Sequence, residues 1–340
     1  RIGLNQTTHI AVDAMGGDLG PRVVILAAME ALRLHSNLYL YLVGHSGQLQ
    51  LCLNDISCLS KVERLKLIHA SDVVKMDDNP STVLRARANT SMKLSLEMLS
   101  EGRVSAIVSA GNTGALVALS RHYLGMCDGI HRPAICSALP SESLVNSYLL
   151  DLGANIDCDA SNFHQFALMG TVLVKALHGI AKPHVGLLNI GVESNKGNAV
   201  VKDAAKLLND DPRINYSGYI EGNQLLQGCV DVLVTDGFTG NIALKVSEGT
   251  AQYIVDLIRS RLKGNIFMRT LAWLLRRYLN AFWLDIDPRN YNGGFFLGVN
   301  GVVVKSHGDS NEKGFLVAIE QAKTCVDREM ISQIKEELRH

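Results

Sequence analysis

Short, solidly apolar runs alternate along this chain with longer stretches in which apolar residues recur every three or four positions. The first pattern predicts strands covered on both faces, and the second predicts amphipathic helices. The predicted strands are 9–13, 38–43, 65–69, 106–109, 147–152, 185–190, 230–235 and 301–305. The predicted helices are 21–34, 82–100, 115–125, 163–177, 199–208, 242–262 and 312–338.

The regular alternation of strands and helices predicts an α/β fold, a three-layer α/β/α sandwich around a mostly parallel sheet. Residues 1–8 are expected to form a polar extension. Residues 9–340 are expected to form a single domain with a helical excursion at about 257–290. Ligands of such sheets bind beyond the carboxyl ends of the strands, so the loops that follow strands are the places to look for function.

Composition narrows the functional classes. Apolar residues make up 47% of the 340 positions and charged residues 19%, with a formal net charge of zero. These values are typical of a globular protein and argue against a nucleic-acid partner. The seven cysteines show no metal-site spacing, and neither a signal peptide nor a membrane span is evident in the sequence. We therefore expect a protein of the reducing cytoplasm.

Two loops share the pattern Gly-x-Thr-Gly at the same place in a strand–loop–helix unit, within 105–119 and within 231–245. Glycine allows a close backbone approach, and a helix start offers unpaired N–H groups and partial positive charge, so such loops suit an anion of phosphate size. Thr113 and Thr239 are candidates both for capping the helices and for donating to phosphate. The alternative is two tight turns without a ligand. The candidate ligands are Gly111, Asn112, Thr113, Gly114, Asp236, Gly237, Thr239 and Gly240.

A lysine lies in the polar loop after the strand 185–190, within the sequence GVESNKGN. Lys196 is placed where a mobile positive charge can reach a phosphate or a developing oxyanion. A solvated surface lysine is an equally good interpretation of this pattern alone.

Three further loops follow predicted strands and carry polar residues. They add Asp13, Gly16, Gly17, Asn155 and His307 to the candidate substrate-binding residues. Turn and capping chemistry explains the first four equally well, and a lone histidine is more often structural than catalytic.

Several common motifs are absent from the sequence. It contains no G-x-G-x-x-G, no G-x-S-x-G and no cluster with metal-ligand spacing, so we expect no cofactor and no metal. Cys158 and Cys229 are possible nucleophiles, but buried core cysteines are the better interpretation.

The stretch 257–284 is basic, contains no acidic residue and includes both tryptophans. On a helical wheel its bulky apolar residues share one face and its arginines cluster on another, the pattern of a helix lying on a membrane surface or docking an acidic partner. The alternative is an ordinary amphipathic helix packed on the core or in a dimer interface. The candidate contact residues are Phe267, Leu271, Trp273, Leu274, Arg276 and Arg277.

Seven segments together resemble one family, the phosphate acyltransferases of bacterial phospholipid synthesis. They are AVDAMGGD (11–18), VSAGNTGAL (108–116), LDLGANID (150–157), QFALMG (165–170), LLNIGVESNKGN (187–198), TDGFTGN (235–241) and GVVVKSHG (301–308). The resemblance extends over nearly the whole chain. The family often has an acid where this chain has Val192.

The resemblance implies transfer of a long acyl group from acyl carrier protein to inorganic phosphate. It also implies a fold similar to phosphotransacetylases and isocitrate-type dehydrogenases, a homodimer, and a cytoplasmic enzyme attached peripherally to the inner membrane surface. By resemblance, Lys196 and Asn241 carry the activity. The absent motifs agree with this chemistry, because phosphate is itself the nucleophile and a thiol is a good leaving group. What remains is to position phosphate and to stabilise the oxyanion.

Three alternatives stay open at this point. They are a phosphotransacetylase acting on a short acyl-CoA, a metal- and NAD-dependent decarboxylating dehydrogenase of similar fold, and a membrane scaffold without activity. The basic stretch 257–284 argues against the first, since a small soluble substrate needs no such surface.

Overall fold

The computed structural model describes residues 7–56, 63–86, 88–141, 146–262, 274 and 293–339. One sheet of eleven strands runs through the described part of the chain, in the order β3-β2-β1-β4-β11-β10-β5-β6-β9-β7-β8. The strands are β1 (Thr8–Asp13), β2 (Leu38–Gly44), β3 (Leu65–His69), β4 (Ala106–Ser109), β5 (Ala134–Leu139), β6 (Ser147–Leu150), β7 (His184–Asn189), β8 (Asn215–Glu221), β9 (Val232–Val234), β10 (Gly294–Leu297) and β11 (Val302–Lys305).

Helices cover both faces of the sheet. They are α1 (Pro21–Leu34), α2 (Ser46–Asp55), α3 (Pro80–Arg85), α4 (Ser91–Ser100), α5 (Thr113–Leu124), α6 (Ala160–His178), α7 (Ala199–Asp210), α8 (Gly237–Leu262), α9 (Glu312–Asp327) and α10 (Met330–Arg339), with a 3₁₀ turn at Gly222–Gln224. One apolar cluster joins the sheet to α1, α2, α6, α7, α9 and α10, and a second joins its other face to α4, α5 and α8. The predicted three-layer α/β/α sandwich is confirmed.

The sheet consists of two parallel groups that run in opposite directions. The strands β3, β2, β1, β4 and β11 are parallel to one another, as are β6, β9, β7 and β8. Between them, β10 is antiparallel to both β11 and β5, and β5 is antiparallel to β6. The carboxyl ends of the two groups therefore point to opposite edges of the sheet.

The register nevertheless brings the two sets of carboxyl ends close to the centre of the sheet. One row of paired residues crosses the five central strands from β11 to β9. In order, it consists of Val304, Phe295, Cys136, Leu150 and Val234. Both β11 and β9 end at or just after this row, so the loops that follow them leave the middle of the sheet in opposite directions. Because α5 and α8 lie on the same face, a cleft forms between them over the central strands.

Four elements were not predicted, namely β5, β8, β10 and α2, and two predicted helices are each divided in two. The predicted helix 82–100 is α3 and α4, because Asn79 and Thr90 each cap a separate helix start. The predicted helix 312–338 is α9 and α10, which are separated at Glu329, where φ is 50°. The boundary expected after residue 8 falls inside β1, since Thr8 already pairs with Leu38.

Candidate active site

A small cavity of about 120 Å³ lies in the central cleft. It is lined by Thr113, Ile135, Ser137, Leu152, Asn241, Leu244, Lys245, Gly294, Lys305, Ser306 and His307. Its walls thus come from the start of α5, the first turns of α8, the end of β11 and the central antiparallel strands. This volume is about that of four water molecules and suits a small, hydrated or tetrahedral anion.

The first turn, residues 110–114, presents a helix start to this cavity. Asn112 caps α5 by accepting from the N–H of Ala115 at 2.9 Å. No described residue accepts from the N–H groups of Thr113 and Gly114 or bonds to the Thr113 hydroxyl. These are the first two residues of a helix, whose N–H groups have no partner within it, and they carry its partial positive charge. The first turn can therefore donate to an anion.

The second turn, residues 236–240, has already used most of its donors. The N–H of Gly237 donates to the Asn155 carbonyl at 2.8 Å. Asp236 accepts from the Thr239 N–H at 2.7 Å and from the Thr239 hydroxyl at 2.9 Å. Thr239 does not line the cavity; instead, the second turn starts α8 so that Asn241, one turn further on, reaches it.

The expectation that the two threonines cap their helices is wrong. The caps are Asn112 for α5 and Asp236 for α8. Asparagine and aspartate cap better than threonine, because their side-chain oxygens reach the N–H groups of the first turn more easily.

A buried carboxylate supports the first turn. Asp13, at the end of β1, accepts from the Ser109 hydroxyl at 2.7 Å and from the Met15 N–H at 3.2 Å. Burial raises the pKa of Asp13, and hydrogen bonds from Ser91 and Ser109 counteract that rise. Gly16 packs so closely that a Cβ there would lie 2.6 Å from the Gly111 nitrogen. Asp13 and Gly16 thus shape the turn from behind, outside the residues that line the cavity.

A second buried carboxylate supports the second turn, as Asp13 supports the first. Asp151 accepts from the Asn155 N–H at 2.7 Å and from the Asn155 side chain at 2.9 Å. Asn155 also donates to the Pro133 carbonyl at 2.7 Å. The predicted site residue Asn155 therefore holds the loop whose carbonyl accepts from the Gly237 N–H.

The predicted site residue Gly17 packs between the first turn and the loop after β11. A Cβ at Gly17 would lie 3.4 Å from the Gly308 carbonyl oxygen.

Sequence reasoning missed the lysine at the end of β11. Lys305 lines the cavity beside Ser306, whose carbonyl accepts from the Lys305 ammonium. Burial lowers the pKa of Lys305 to about 8, although the carboxylates of Asp13 and Asp18 favour the charged form. A lysine closing an otherwise apolar strand, GVVVK, is the signal that could have revealed it, since such a charge is costly to bury without a purpose.

His307 follows Lys305 and lines the same cavity. Its ring lies 3.4 Å from a carboxylate oxygen of Glu248, which also pairs with Lys245 at 2.8 Å. Burial lowers the pKa of His307, and the Glu248 charge opposes this. Burial therefore disfavours the positively charged form of this imidazole.

The predicted Lys196 is exposed in the loop after β7 and does not line the cavity. Since β7 pairs with β9, this loop leaves the same edge of the sheet as the second turn. Its catalytic role stays a prediction.

The candidate nucleophiles have different environments. Cys158 is half-buried, and burial raises its pKa to about 12, so it is a thiol at neutral pH. Cys229 is exposed, against our expectation of a core residue. Neither lines the cavity. Within the described ranges, no group of three or more His, Cys, Asp or Glu side chains could hold a metal ion.

Of the candidate surface residues in 257–284, only Leu274 is described, and it is 65% exposed. Phe267, Leu271, Trp273, Arg276 and Arg277 lie outside the described residues.

Comparison with solved structures finds the same fold in a phosphotransacetylase and in a dehydrogenase. A phosphotransacetylase from Streptococcus pyogenes superposes with a TM-score of 0.63 at 16% identity, covering 96% of this chain and 94% of the other. A 4-hydroxythreonine-4-phosphate dehydrogenase from Klebsiella pneumoniae gives 0.55 at 12% identity, covering 95% and 99%. At these identities the likeness shows the fold alone.

Sequence comparison gives the family. A family model described as "Fatty acid synthesis protein" matches residues 8–333. A relative from Cellvibrio japonicus named phosphate acyltransferase is 48% identical over 335 residues, covering 98% of this chain and 99% of the relative. One of the same name from Shewanella sediminis is 44% identical over 329 residues, covering 97% and 96%. The chain belongs to this fatty acid synthesis protein family, and the resemblance seen in its seven segments is confirmed.

Proposed function

We propose that this protein is a phosphate acyltransferase that makes acyl phosphate from a long-chain acyl-[acyl-carrier protein] and inorganic phosphate, on the way to phosphatidic acid. The observation that carries the proposal is the cavity in which the free donors of Thr113 and the cation of Lys305 meet Asn241, in a chain of this family. The site lines up donors for an anion, and no buried serine or cysteine nucleophile is needed.

The first turn and the end of β11 provide the groups that bind phosphate. The N–H groups of Thr113 and Gly114, together with the Thr113 hydroxyl, suit two or three phosphate oxygens. The Lys305 ammonium supplies the positive charge that a dianion requires. Because the group is largely removed from water, its attraction for phosphate is stronger than that of an exposed lysine.

The chemical step needs no covalent enzyme intermediate. A phosphate oxygen attacks the thioester carbon, forming the new C–O bond while the carbonyl oxygen becomes an oxyanion. The oxyanion then collapses, the C–S bond breaks, and the carrier leaves as a thiolate that takes a proton from water. The products are acyl phosphate and the free carrier thiol.

Stabilisation of the oxyanion is assigned to Asn241 and Lys196. Asn241 lines the cavity on the α8 side, opposite Thr113, so a carbonyl placed between them is within reach of its amide. Lys196, in the exposed loop at the same edge as the second turn, adds a mobile charge. Such donors contribute about 10²–10³ to turnover when they are aligned with the transition state. We expect Lys196→Ala to lower turnover by about 10² while the fold survives.

The remaining assignments concern the assembly. We propose a single folded domain, a homodimer and a cytoplasmic enzyme that attaches to the inner membrane surface through 257–284. Exposed apolar side chains along α8 support a further contact: Phe238, Ile242, Tyr253 and Leu257. No helix in the described part of the chain is both long and apolar enough to cross a membrane. Sedimentation of the protein alone and with anionic vesicles tests the dimer and the attachment separately.

The direct test is to mix the purified protein with palmitoyl-carrier protein and phosphate. We expect acyl phosphate and free carrier thiol in equal amounts, and no thiol release without phosphate. Thiol release accompanied by free fatty acid would show a thioesterase instead. Greater activity with acetyl-CoA would favour the short-chain alternative, and an absorbance change with NAD and a divalent metal would favour the dehydrogenase.

A further inference from the structure

A second cavity of about 680 Å³ extends from the proposed phosphate site along one side of α8. We call it the α8 groove; its apolar wall includes Leu139, Leu225, Leu226, Leu244, Ala251 and Ile254. This volume is in the range of cavities that take small organic ligands.

The groove and the phosphate cavity are continuous. Ser137, Leu244 and His307 belong to the walls of both. Along β5, Ile135 and Ser137 line the phosphate cavity, and Ser137, Ala138 and Leu139 line the groove, so the two cavities meet at Ser137. An elongated ligand can therefore lie in the groove with its reactive end beside phosphate.

The groove is polar at its phosphate end and apolar along its length. His307 and Glu248 lie at the shared mouth, and Leu244, Ala251 and Ile254 follow at positions i, i+7 and i+10 on one face of α8. Ten residues of α-helix rise about 15 Å. Val246 also lines the groove, whereas the exposed apolar side chains of Phe238 and Ile242 do not.

We infer that the α8 groove binds the acyl chain of the thioester, with the carbonyl at the His307 end and the methyl end towards Ile254. The inference rests on the proposed function, and it deepens it by assigning the site that selects for chain length. Carbon–carbon bonds of about 1.52 Å at tetrahedral angles advance an extended chain by about 1.3 Å per carbon. A groove of about 15 Å therefore holds about twelve carbons.

The inference predicts how kcat/KM depends on the length of the acyl chain. Each CH₂ group moved from water into an apolar site contributes about 0.8 kcal/mol, which is about fourfold in binding. In the wild-type protein, kcat/KM for the acyl donor is expected to rise up to about fourfold per CH₂ and to level off near twelve carbons.

The test measures kcat/KM for carrier-protein thioesters of four to sixteen carbons in wild type and Ala251→Trp. Ala251 is half-buried about two-thirds of the way along the groove wall from Leu244 to Ile254, so a Trp there fills the far end of the groove. We expect Ala251→Trp to keep the four-carbon rate within about twofold and to lose most of the gain beyond eight carbons. Gln252→Trp, an exposed position on the same helix outside the groove, is the matched control and should keep the wild-type profile.

Leu226→Asp provides a second variant on a different segment, should Ala251→Trp fail to fold. Leu226 is 43% exposed, so the fold should tolerate the change, while a carboxylate in the groove wall disfavours a long chain. Wild-type profiles in both variants would overturn the inference. An equal loss at every chain length together with an altered oligomeric state would also overturn it, by making the groove a subunit interface. Absence of acyl phosphate from any donor in the wild type would instead refute the proposed function itself.

Discussion

The two Gly-x-Thr-Gly turns have the same spacing but serve the site in different ways. In the first turn the x position is Asn112, which caps α5, so the helix begins at Thr113. In the second turn the x position is Phe238, which cannot cap, and the helix begins two positions earlier in the motif, behind Asp236. Thr113 is thus the first residue of its helix, with an unused hydroxyl, whereas Thr239 is the third residue and bonds to Asp236.

The residue at the cap also decides what else each turn holds. Asn112 donates through its side-chain amide to the carbonyls of Lys75, Met76 and Asp78 at 3.2, 3.0 and 2.9 Å, and so fixes the neighbouring loop. Asp236 has no donor and holds only its own turn. A shared motif therefore identifies two helix starts, and the residue types around it determine which one is free to bind phosphate.

The largest expected effect concerns the cation beside the first turn. We expect Lys305→Ala to lower kcat/KM for phosphate by about 10²–10³, as loss of an aligned charged donor does. Lys206→Ala, at an exposed position of α7, is the control and should leave the rate unchanged. Steady-state kinetics at varied phosphate measures both, and an unchanged rate for Lys305→Ala would remove this residue from the site.

The two turns should also differ in tolerance to a methyl group. A Cβ at Gly240 meets the backbone carbonyl of Asp151, which cannot move freely, so Gly240→Ala should destabilise the fold by about 1–3 kcal/mol. A Cβ at Gly111 meets the end of the flexible Met92 side chain at 2.6 Å, and Gly111→Ala should cost less than about 1 kcal/mol. Urea unfolding measures both; equal losses would show that the second turn is no more rigidly held than the first.

The two threonines provide the sharpest contrast. Thr113→Val removes a hydroxyl that faces the cavity, so we expect KM for phosphate to rise about tenfold with stability unchanged. Thr239→Val removes the bond to Asp236, so it should lower the free energy of unfolding by about 1 kcal/mol with KM unchanged. The reverse pattern would assign phosphate to the second turn.

The last prediction is a pH dependence. The pKa of Lys305 is lowered to about 8, so its charge is lost as pH rises through that value, and KM for phosphate should rise about tenfold per pH unit above it. Arginine keeps its charge, so Lys305→Arg should have a flat profile from pH 7 to pH 9.5. A wild-type KM that does not change over this range would mean that the charge of Lys305 does not attract phosphate.

The sequence was sufficient to predict the three layers of the fold, but not the change of strand direction in the centre of the sheet. The apolar parallel strands and α1 follow directly from their periodicity. The strand β5 (AICSAL) contains small and polar residues, and β10 (GFFL) has only four residues. Both are antiparallel to their neighbours, and hydrophobic periodicity contains no information on strand direction. Yet these strands determine where the two groups meet, and therefore where the cavity forms.

Some residues of the site were predicted from the sequence, and others were not. Thr113 and His307 were found because they lie in loops that follow strands, whereas Asn241 was named only from the family resemblance. Lys305 was missed because it ends a strand, and the α8 residues that line the same cavity come from a distant part of the sequence. Lys196, conversely, was easy to single out from its loop, but its exposed position in this chain leaves its part in catalysis to be measured.

The most direct test of the account is a crystal structure of the protein grown with phosphate. We predict one bound phosphate within hydrogen-bonding distance of the Thr113 hydroxyl, the N–H groups that start α5 and the Lys305 ammonium. Phosphate bound at residues 236–240 instead, with the cavity beside Lys305 holding only water, would contradict it.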